Sequence, residues 1–467
     1  MRRASVAGAG VVLAMAAAVG VALAAHAVAG LGRAAWIVLV AVITAEVVAV
    51  ILITRAALGR LAAWQTSVVA GAYFWVTYVA RPVQLLWRGG TTTLKEQGAE
   101  VLPHGTRVLE AAAVQFFFAL VAYMVLVRRE TPRTVLPHWA GSRRRAAVVA
   151  ALAVAFAGLV LLAGVRGGIV ALLETPFNRR HALAGHFYVV VLLYFLPAAA
   201  MFVMYDAAVG RVNLWVALAV GGVAALVLLP LGGRGELITL TLGLAAIWQL
   251  GGRRVRLASV PIGIVAGALV VSGGLALRIE QSNAEASRTG LAALSLNPLA
   301  AVPRALDDGF TNFDRLAFAL PQIPGVVPYQ GLGSYARLLA APIPRSMWAG
   351  KPGITEANVT APLFSGDRLT GESTLGPAGG GWLEAGWVGE VFTGLLAGAL
   401  WALLAHLVAG ARTVAGRVAA VAASLQLLMG FGNLDATYLI IRVAPIAVLG
   451  LLLHPRSPAA ASTGRDG

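Results

Sequence analysis

Three polar stretches interrupt a chain that is otherwise rich in alanine, leucine and valine. They run from Leu231 to Glu236, from Ala341 to Gly353 and from Asp307 to Arg315. Each stretch contains an arginine, and two of them also contain acids. Arginine binds phosphate oxygens through a planar fork, and a carboxylate can accept a proton. We therefore take these stretches as the candidates for the chemistry of this protein.

The first stretch centres on Arg234, which lies between Gly233 and Gly235. Glycines on both sides break a helix and let the backbone approach a ligand closely. A charged residue close to hydrocarbon is kept there with a partner, which here is either Glu236 or a bound anion. The alternative is an interfacial turn whose arginine extends toward water.

The second stretch places two cations, Arg345 and Lys351, on either side of Trp348, and its prolines fix the backbone. A guanidinium fork suits phosphate oxygens. The apolar face of an indole ring suits a pyranose. This combination fits a diphosphate flanked by sugar, and the alternative is a rigid surface loop with two solvated charges.

The third stretch combines acids, an arginine and two phenylalanines at helical spacing. Asp314 is an acid that can accept the proton of a hydroxyl group. Asp307 and Asp308 are neighbours, so on a helix they point about 100° apart and form a poor chelate for a metal ion. We therefore expect no metal site here. A helix with an internal ion pair is the alternative interpretation.

Composition places these stretches in a membrane protein. The 467 residues are 59% apolar and 12% charged, with a mean hydropathy of +0.81, whereas soluble domains are about 45–50% apolar and about 25% charged. The net charge of +16 comes from short basic clusters between apolar runs, which indicates membrane topology and no nucleic-acid partner. Cysteine is absent, so disulfides and thiolate metal sites are excluded.

Apolar runs of spanning length predict an all-α polytopic membrane protein with about twelve transmembrane helices. The runs lie at 8–30, 35–54, 61–80, 108–127, 146–164, 186–205, 213–231, 236–250, 258–277, 386–408, 417–431 and 437–453. Basic clusters at 143–145 and 253–256 are expected to face the cytoplasm, as are both chain ends. The prediction divides the chain into a bundle of nine spans at 1–277, three further spans at 386–453 and a disordered cytoplasmic tail at 454–467.

The segment 278–385 then forms one large extracytoplasmic loop of about 105 residues, a length that is usually functional. It is long enough for a few helices that cap the bundle and too short for an independent domain of usual size. Two of the three polar stretches lie in it. We therefore expect the chemistry to take place at the outer face of the membrane.

The motif Pro-Arg-x-x-Trp-x-x-Lys-Pro, from Pro344 to Pro352, is similar to a recurrent stretch of one family. That family is the O-antigen polymerase, or oligosaccharide repeat-unit polymerase, group of bacterial membrane proteins, which the tract from Phe313 to Leu400 resembles. Weaker similarities lie at 313–316, 331–335, 386–389, 73–82 and 233–234. The chain departs from the family at Gly380 and Gly381, because members often carry a Gly-Glu pair there and this chain has its acid at Glu384.

The resemblance implies a glycosyl transfer at the outer leaflet of the bacterial inner membrane. A glycan leaves its polyprenyl diphosphate carrier and joins a hydroxyl of the next lipid-linked oligosaccharide. On this interpretation Arg234 and Arg345 stabilise the diphosphate, and Asp314 accepts the hydroxyl proton. The residues assigned to substrate binding are Lys351, Trp348, Arg315 and Arg81. No cofactor is implied, and a chain-length regulator is left open as a further partner.

Two other functions are weighed against the polymerase. An O-antigen ligase resembles a polymerase in topology and typically carries a histidine in the large outer loop. The histidines of this chain are His26, His104, His138, His181, His186, His406 and His454, all outside 278–385. A flippase needs ionisable groups deep in several spans, and the clearly embedded ones are Glu46 and Arg442, with Glu390 one turn into its span and able to pair with Arg442.

Overall fold

The structure is a computed structural model, and it describes the chain in segments. These are residues 32–58, 65–87, 102–127, 141–165, 187–228, 234–253, 311–331, 333, 343, 347–348, 350, 359–364, 375–431 and 436–453. Every regular element in these segments is a helix, as expected for an all-α membrane protein. Five helices are long and apolar enough to cross a membrane: Ala34–Leu58, His104–Leu126, Ala146–Gly164, Val191–Ala208 and Trp387–Gly410.

In chain order the α-helices are α1 (Gly32–Leu58), α2 (Thr66–Trp75), α3 (Arg81–Trp87), α4 (Leu102–Leu126), α5 (Gly141–Val165), α6 (Phe187–Leu193), α7 (Phe195–Ala208), α8 (Leu214–Leu228), α9 (Arg234–Leu250), α10 (Asn312–Ala319), α11 (Gly376–Ala385), α12 (Trp387–Gly410), α13 (Val414–Phe431) and α14 (Ala436–Leu452). A π-helical turn, Val76–Ala80, joins α2 to α3, and 3-10 turns lie at Leu320–Gln322 and Ala361–Phe364. Each predicted span that falls on described residues coincides with a helix. The predicted spans 8–30 and 258–277 lie outside the described residues, so the count of about twelve stays a prediction.

The helices belong to two compact units. The first consists of Met1–Arg129, Arg256–His406 and Leu427–Leu439, and the second of Glu130–Val255, Leu407–Gln426 and Ile440–Gly467. In the second unit, α7 packs against α8 and α9. Arg253 Nε donates to the carbonyl of Ala208 at 2.8 Å, so a cation satisfies the C-terminal end of α7.

The first unit is organised around α4, which is packed along its length by α1. Trp36 lies against Gly105 with no room for a Cβ atom, and Thr54 donates to the Tyr123 hydroxyl at 3.0 Å. Both contacts join residues 69 positions apart, so the two helices run parallel and in register. The α2 helix runs the other way, because Thr54 and Thr44 contact Ser67 and Trp75 respectively.

The α12 helix also runs parallel to α4. Gln115 Nε2 donates to Thr393 Oγ1 at 2.8 Å, and the His406 ring lies 3.1 Å from the Leu126 carbonyl, at separations of 278 and 280 residues. Gly394 and Gly398 press their Cα atoms against the α4 backbone, as in a small-xxx-small contact. These are the parallel directions that the predicted topology assigns to the spans at 35–54, 108–127 and 386–408.

Two helices of the predicted outer loop, α10 and α11, are buried within the first unit. Phe313 of α10 is fully buried and meets the Trp36 ring edge-on at 5.4 Å. The Pro377 carbonyl of α11 accepts a hydrogen bond from Gln115, at the middle of α4. Gln115 lies about 16 Å along α4 from His104 at 1.5 Å per residue. The glycine-rich end of the loop therefore enters the bundle beside a membrane helix.

Candidate functional site

A buried ion pair joins α10, which lies in the segment predicted to form the outer loop, to α3. Arg81 Nη2 and Nε donate to Asp314 Oδ2 and Oδ1 at 2.6 and 3.2 Å, and Arg81 Nη1 donates to Gln84 at 2.8 Å. Both charged side chains are 0% exposed. A two-pronged arginine–carboxylate contact that is shielded from solvent fixes both the distance and the angle between the two helices that carry it.

Local sequence explains why Arg81 points at the loop. Pro82 has no N–H and cannot donate to the Tyr78 carbonyl, so one α-helical hydrogen bond is missing at this point. The turn widens, and the Arg81 N–H bonds to the carbonyl of Val76, five residues back. Such π-turns are frequent at functional sites. Here the turn buries both the Arg81 and Tyr78 side chains.

Two tyrosines that precede Arg81, one in α2 and one in the π-helical turn, make further contacts with the segment predicted to form the outer loop. The Tyr73 hydroxyl accepts from Asn312 Nδ2 at 2.8 Å, and the Tyr78 hydroxyl accepts from the Ala378 N–H at 3.1 Å. Gly376 has φ of +81°, and a Cβ there would lie 2.9 Å from Asn312 and 3.1 Å from the Tyr78 hydroxyl. Glycine is therefore needed where α11 begins.

The side chain of Gln115 connects three helices by hydrogen bonds. Its amide donates to the Pro377 carbonyl at 2.9 Å and to Thr393 Oγ1 at 2.8 Å, so α4, α11 and α12 share one polar contact. By the common register of α1 and α4, Glu46 lies at the level of Gln115, near the middle of the apolar helix Ala34–Leu58. Glu46 is fully buried, and neither carboxylate oxygen has a hydrogen-bond partner among the described residues.

The structure describes only part of the predicted site. Arg81 and Asp314 are brought together. Arg315 follows on α10 and is half-buried, and Trp348 is 41% exposed. The predicted residues Arg345 and Lys351 lie outside the described part of the chain, and of Arg234 only its backbone at the start of α9, in the second unit, is described. Of Arg442, too, only the backbone is described, within α14, so its pairing with Glu390 stays a prediction.

The ion pair limits what its members can do in this arrangement. Both Asp314 oxygens accept from Arg81 and the side chain is 0% exposed, so a substrate hydroxyl reaches the carboxylate only if the surrounding structure opens. The Arg81 fork is likewise occupied and shielded from solvent. The pair therefore acts as a rigid connection between α10 and α3. The roles of Asp314 in proton transfer and of Arg81 in substrate binding stay predictions.

Several polar residues of this region are absent from the sequence-based assignment. Gln115, Thr393 and Tyr78 lie within apolar runs, and their spacing carries no recognisable motif. The glutamates Glu46 and Glu390 do carry a signal, because an ionisable residue inside an apolar run is costly. Within the described segments, no group of three or more His, Asp or Glu side chains is arranged to hold a metal ion.

Comparison with known proteins adds no relative: no family model, no curated protein and no solved structure matches this chain.

Proposed function

We propose that this protein is a membrane glycosyltransferase that polymerises polyprenyl-diphosphate-linked oligosaccharide repeat units into a surface polysaccharide. The reaction takes place at the outer leaflet of the bacterial inner membrane. One observation carries the proposal: the contact between Arg81 and Asp314, across 233 residues. The stretches around these two residues are among those that resemble the polymerase family, and a shared site requires that they meet.

The leaving diphosphate gains negative charge as the glycosidic bond to it breaks, so arginines held near it lower the barrier. Arg234 and Arg345 take this role in the proposal. Lys351 and Trp348 bind the phosphate and sugar of the same substrate. The reaction is proposed to need no divalent metal, because arginines can supply the positive charge.

A ligase is the second candidate, because it uses the same carrier lipid and the same topology. A ligase moves a finished glycan to another acceptor, so its loss leaves long glycan on the carrier. Loss of a polymerase instead leaves single units on the carrier. The absence of histidine from 278–385 favours the polymerase.

Gene deletion in the native host tests the proposal. We expect the long surface glycan to disappear and single lipid-linked units to accumulate. Long glycan that accumulates on the carrier would support the ligase, and an unchanged glycan would refute both functions. Complementation with Arg345→Ala or Arg234→Ala should fail, and Arg345→Lys should rescue little, because a point charge does not reproduce the fork. Arg55→Ala, at an exposed arginine near the end of α1, is the matched control.

A further inference from the structure

At Gly381 the α11 helix meets α12 through bare backbone, beside the edge-on contact between the Trp382 and Trp387 rings. A Cβ atom at Gly381 would lie 2.5 Å from Glu390 Oε2 and 2.6 Å from Thr393 Oγ1. Beside it, a Cβ at Gly380 would meet nothing within 4 Å. The Glu390 carboxyl group therefore lies directly under the bare backbone of Gly381, and the preceding residue, Gly380, faces open space about 100° around the helix axis.

Glu390 is the fourth residue of α12 and is completely buried. The backbone N–H of Trp382 points toward its carboxyl group, but neither oxygen completes a well-formed hydrogen bond among the described residues. Burying a carboxyl group without such partners is costly. An apolar residue would fill the same volume at lower cost, so the carboxyl group calls for a chemical explanation.

The other buried acids of the first unit are less suited to receive a proton from a sugar. Asp314 is occupied by Arg81, and Glu110 has an interaction of its own. Glu46 lies near the middle of its apolar helix. Glu384 has a single oxygen without a partner and lies at the far end of α11 from the Gln115 contact.

The polar contact at Gln115 keeps three consecutive glycines of α11, at positions 379–381, in place above Glu390. The Thr393 hydroxyl accepts from Gln115 and lies one turn below Glu390 on α12. The same amide bonds to Pro377, so α11 is anchored at its N-terminal end. Its C-terminal end is held as well, because the N–H groups of Gln330 and Gly331 donate to carbonyls of Leu383 and Glu384. Both ends of α11 are fixed, and the part between them is glycine.

We propose that Glu390 is the proton acceptor for the incoming sugar hydroxyl, reached through a cleft that opens at Gly380 and Gly381. This inference rests on the polymerase function proposed above. The hydroxyl oxygen forms a bond to the anomeric carbon of the donor, and the bond from that carbon to the diphosphate oxygen breaks. The electron pair leaves with polyprenyl diphosphate, and the hydroxyl proton moves to the Glu390 carboxylate.

The enclosure of Glu390 makes this a gated site. The hydroxyl reaches the carboxylate only after the backbone at Gly380 and Gly381 shifts, between the two ends of α11 that are held in place.

The test uses the full-length protein in nanodiscs with lipid-linked repeat units extracted from the deletion strain. We expect Glu390→Gln, which keeps shape and volume, to lower kcat by about 10²–10⁴-fold. Glu384→Gln is the matched control and should keep most activity. Formate or azide should partly restore the rate of Glu390→Ala, because a small anion can accept the proton, whereas a purely structural role would give no rescue.

A second variant tests the cleft. Gly380→Leu adds a side chain where the structure has space, so it should fold with an unchanged melting temperature and slow polymerisation at least tenfold. Full activity in Glu390→Gln, or an unaffected Gly380→Leu enzyme, would overturn the inference while the polymerase function stands. A wild-type protein that forms no polymer from these lipids would refute the proposed function itself.

Discussion

Breaking the buried pair between Arg81 and Asp314 should destabilise the first unit strongly. Asp314→Asn keeps the shape of the side chain but removes its charge, so the Arg81 guanidinium stays buried at 0% exposure without a counter-ion. Removing one member of a buried ion pair costs about 3–5 kcal/mol. At roughly 2 °C per kcal/mol for a unit of this size, the melting temperature should fall by roughly 6–10 °C.

A double-mutant cycle separates the pair from its surroundings. Arg81→Met alone should also destabilise, because it leaves the Asp314 carboxylate buried and unpaired. The double variant Arg81→Met/Asp314→Leu removes both charges and fills the space with apolar atoms, so it should recover most of the wild-type stability. Arg315→Ala, next to the pair on α10 and half-buried, is the matched control and should change stability little.

The measurement is size-exclusion chromatography in detergent after stepwise heating, with a fluorescent fusion to follow the folded protein. A melting temperature of Asp314→Asn within 1 °C of wild type would refute the buried pair. So would a double variant that loses the sum of the two single losses. A stable double variant that stays active assigns Asp314 to the scaffold, as the proposal for Glu390 requires, whereas an inactive one would support a role of the pair itself in the reaction.

Three further predictions concern packing, topology and metal. Gly105→Ala should destabilise by about 1–3 kcal/mol, because its Cβ would overlap the buried Trp36 ring, whereas Gly222→Ala, which meets nothing within 4 Å, should be neutral in the same heating assay. A single cysteine at position 350 should react with an impermeant reagent in intact cells and one at 140 should not; the reverse pattern would refute the topology. Polymerisation by the purified protein should continue in excess EDTA, and a rate that returns only with magnesium or manganese would contradict the arginine-based mechanism.

The class of the protein and the positions of most helices follow from the amino-acid sequence alone. In a bilayer every backbone N–H and C=O must be satisfied within the segment, so a long apolar run has little choice but to form a helix. The predicted span 146–164 lies within α5, and 386–408 differs from α12 by at most two residues at each end. These features depend on composition over about twenty neighbouring residues, which the sequence displays directly.

Two polar residues that were assigned to the site from the sequence meet in the structure, but in an arrangement that the sequence did not predict. Arg81 and Asp314 were both assigned to the site, Arg81 to substrate and Asp314 to proton transfer. The structure pairs them with each other, which occupies the groups that those roles require. The residues around Arg345 and Lys351 carry the most specific motif, and their arrangement lies outside the described segments.

Which polar groups lie next to one another depends on how the helices pack. The common register of α1, α4 and α12 brings Glu46, Gln115 and Thr393 to one level, although 69 residues separate the first two and 278 the last two. The close approach of α11 to α12 places Glu390 under Gly381. Helix formation follows from local composition, but the register between helices depends on how side chains of distant segments fit together. That fit is a property of pairs of surfaces, so no single stretch of the sequence contains it.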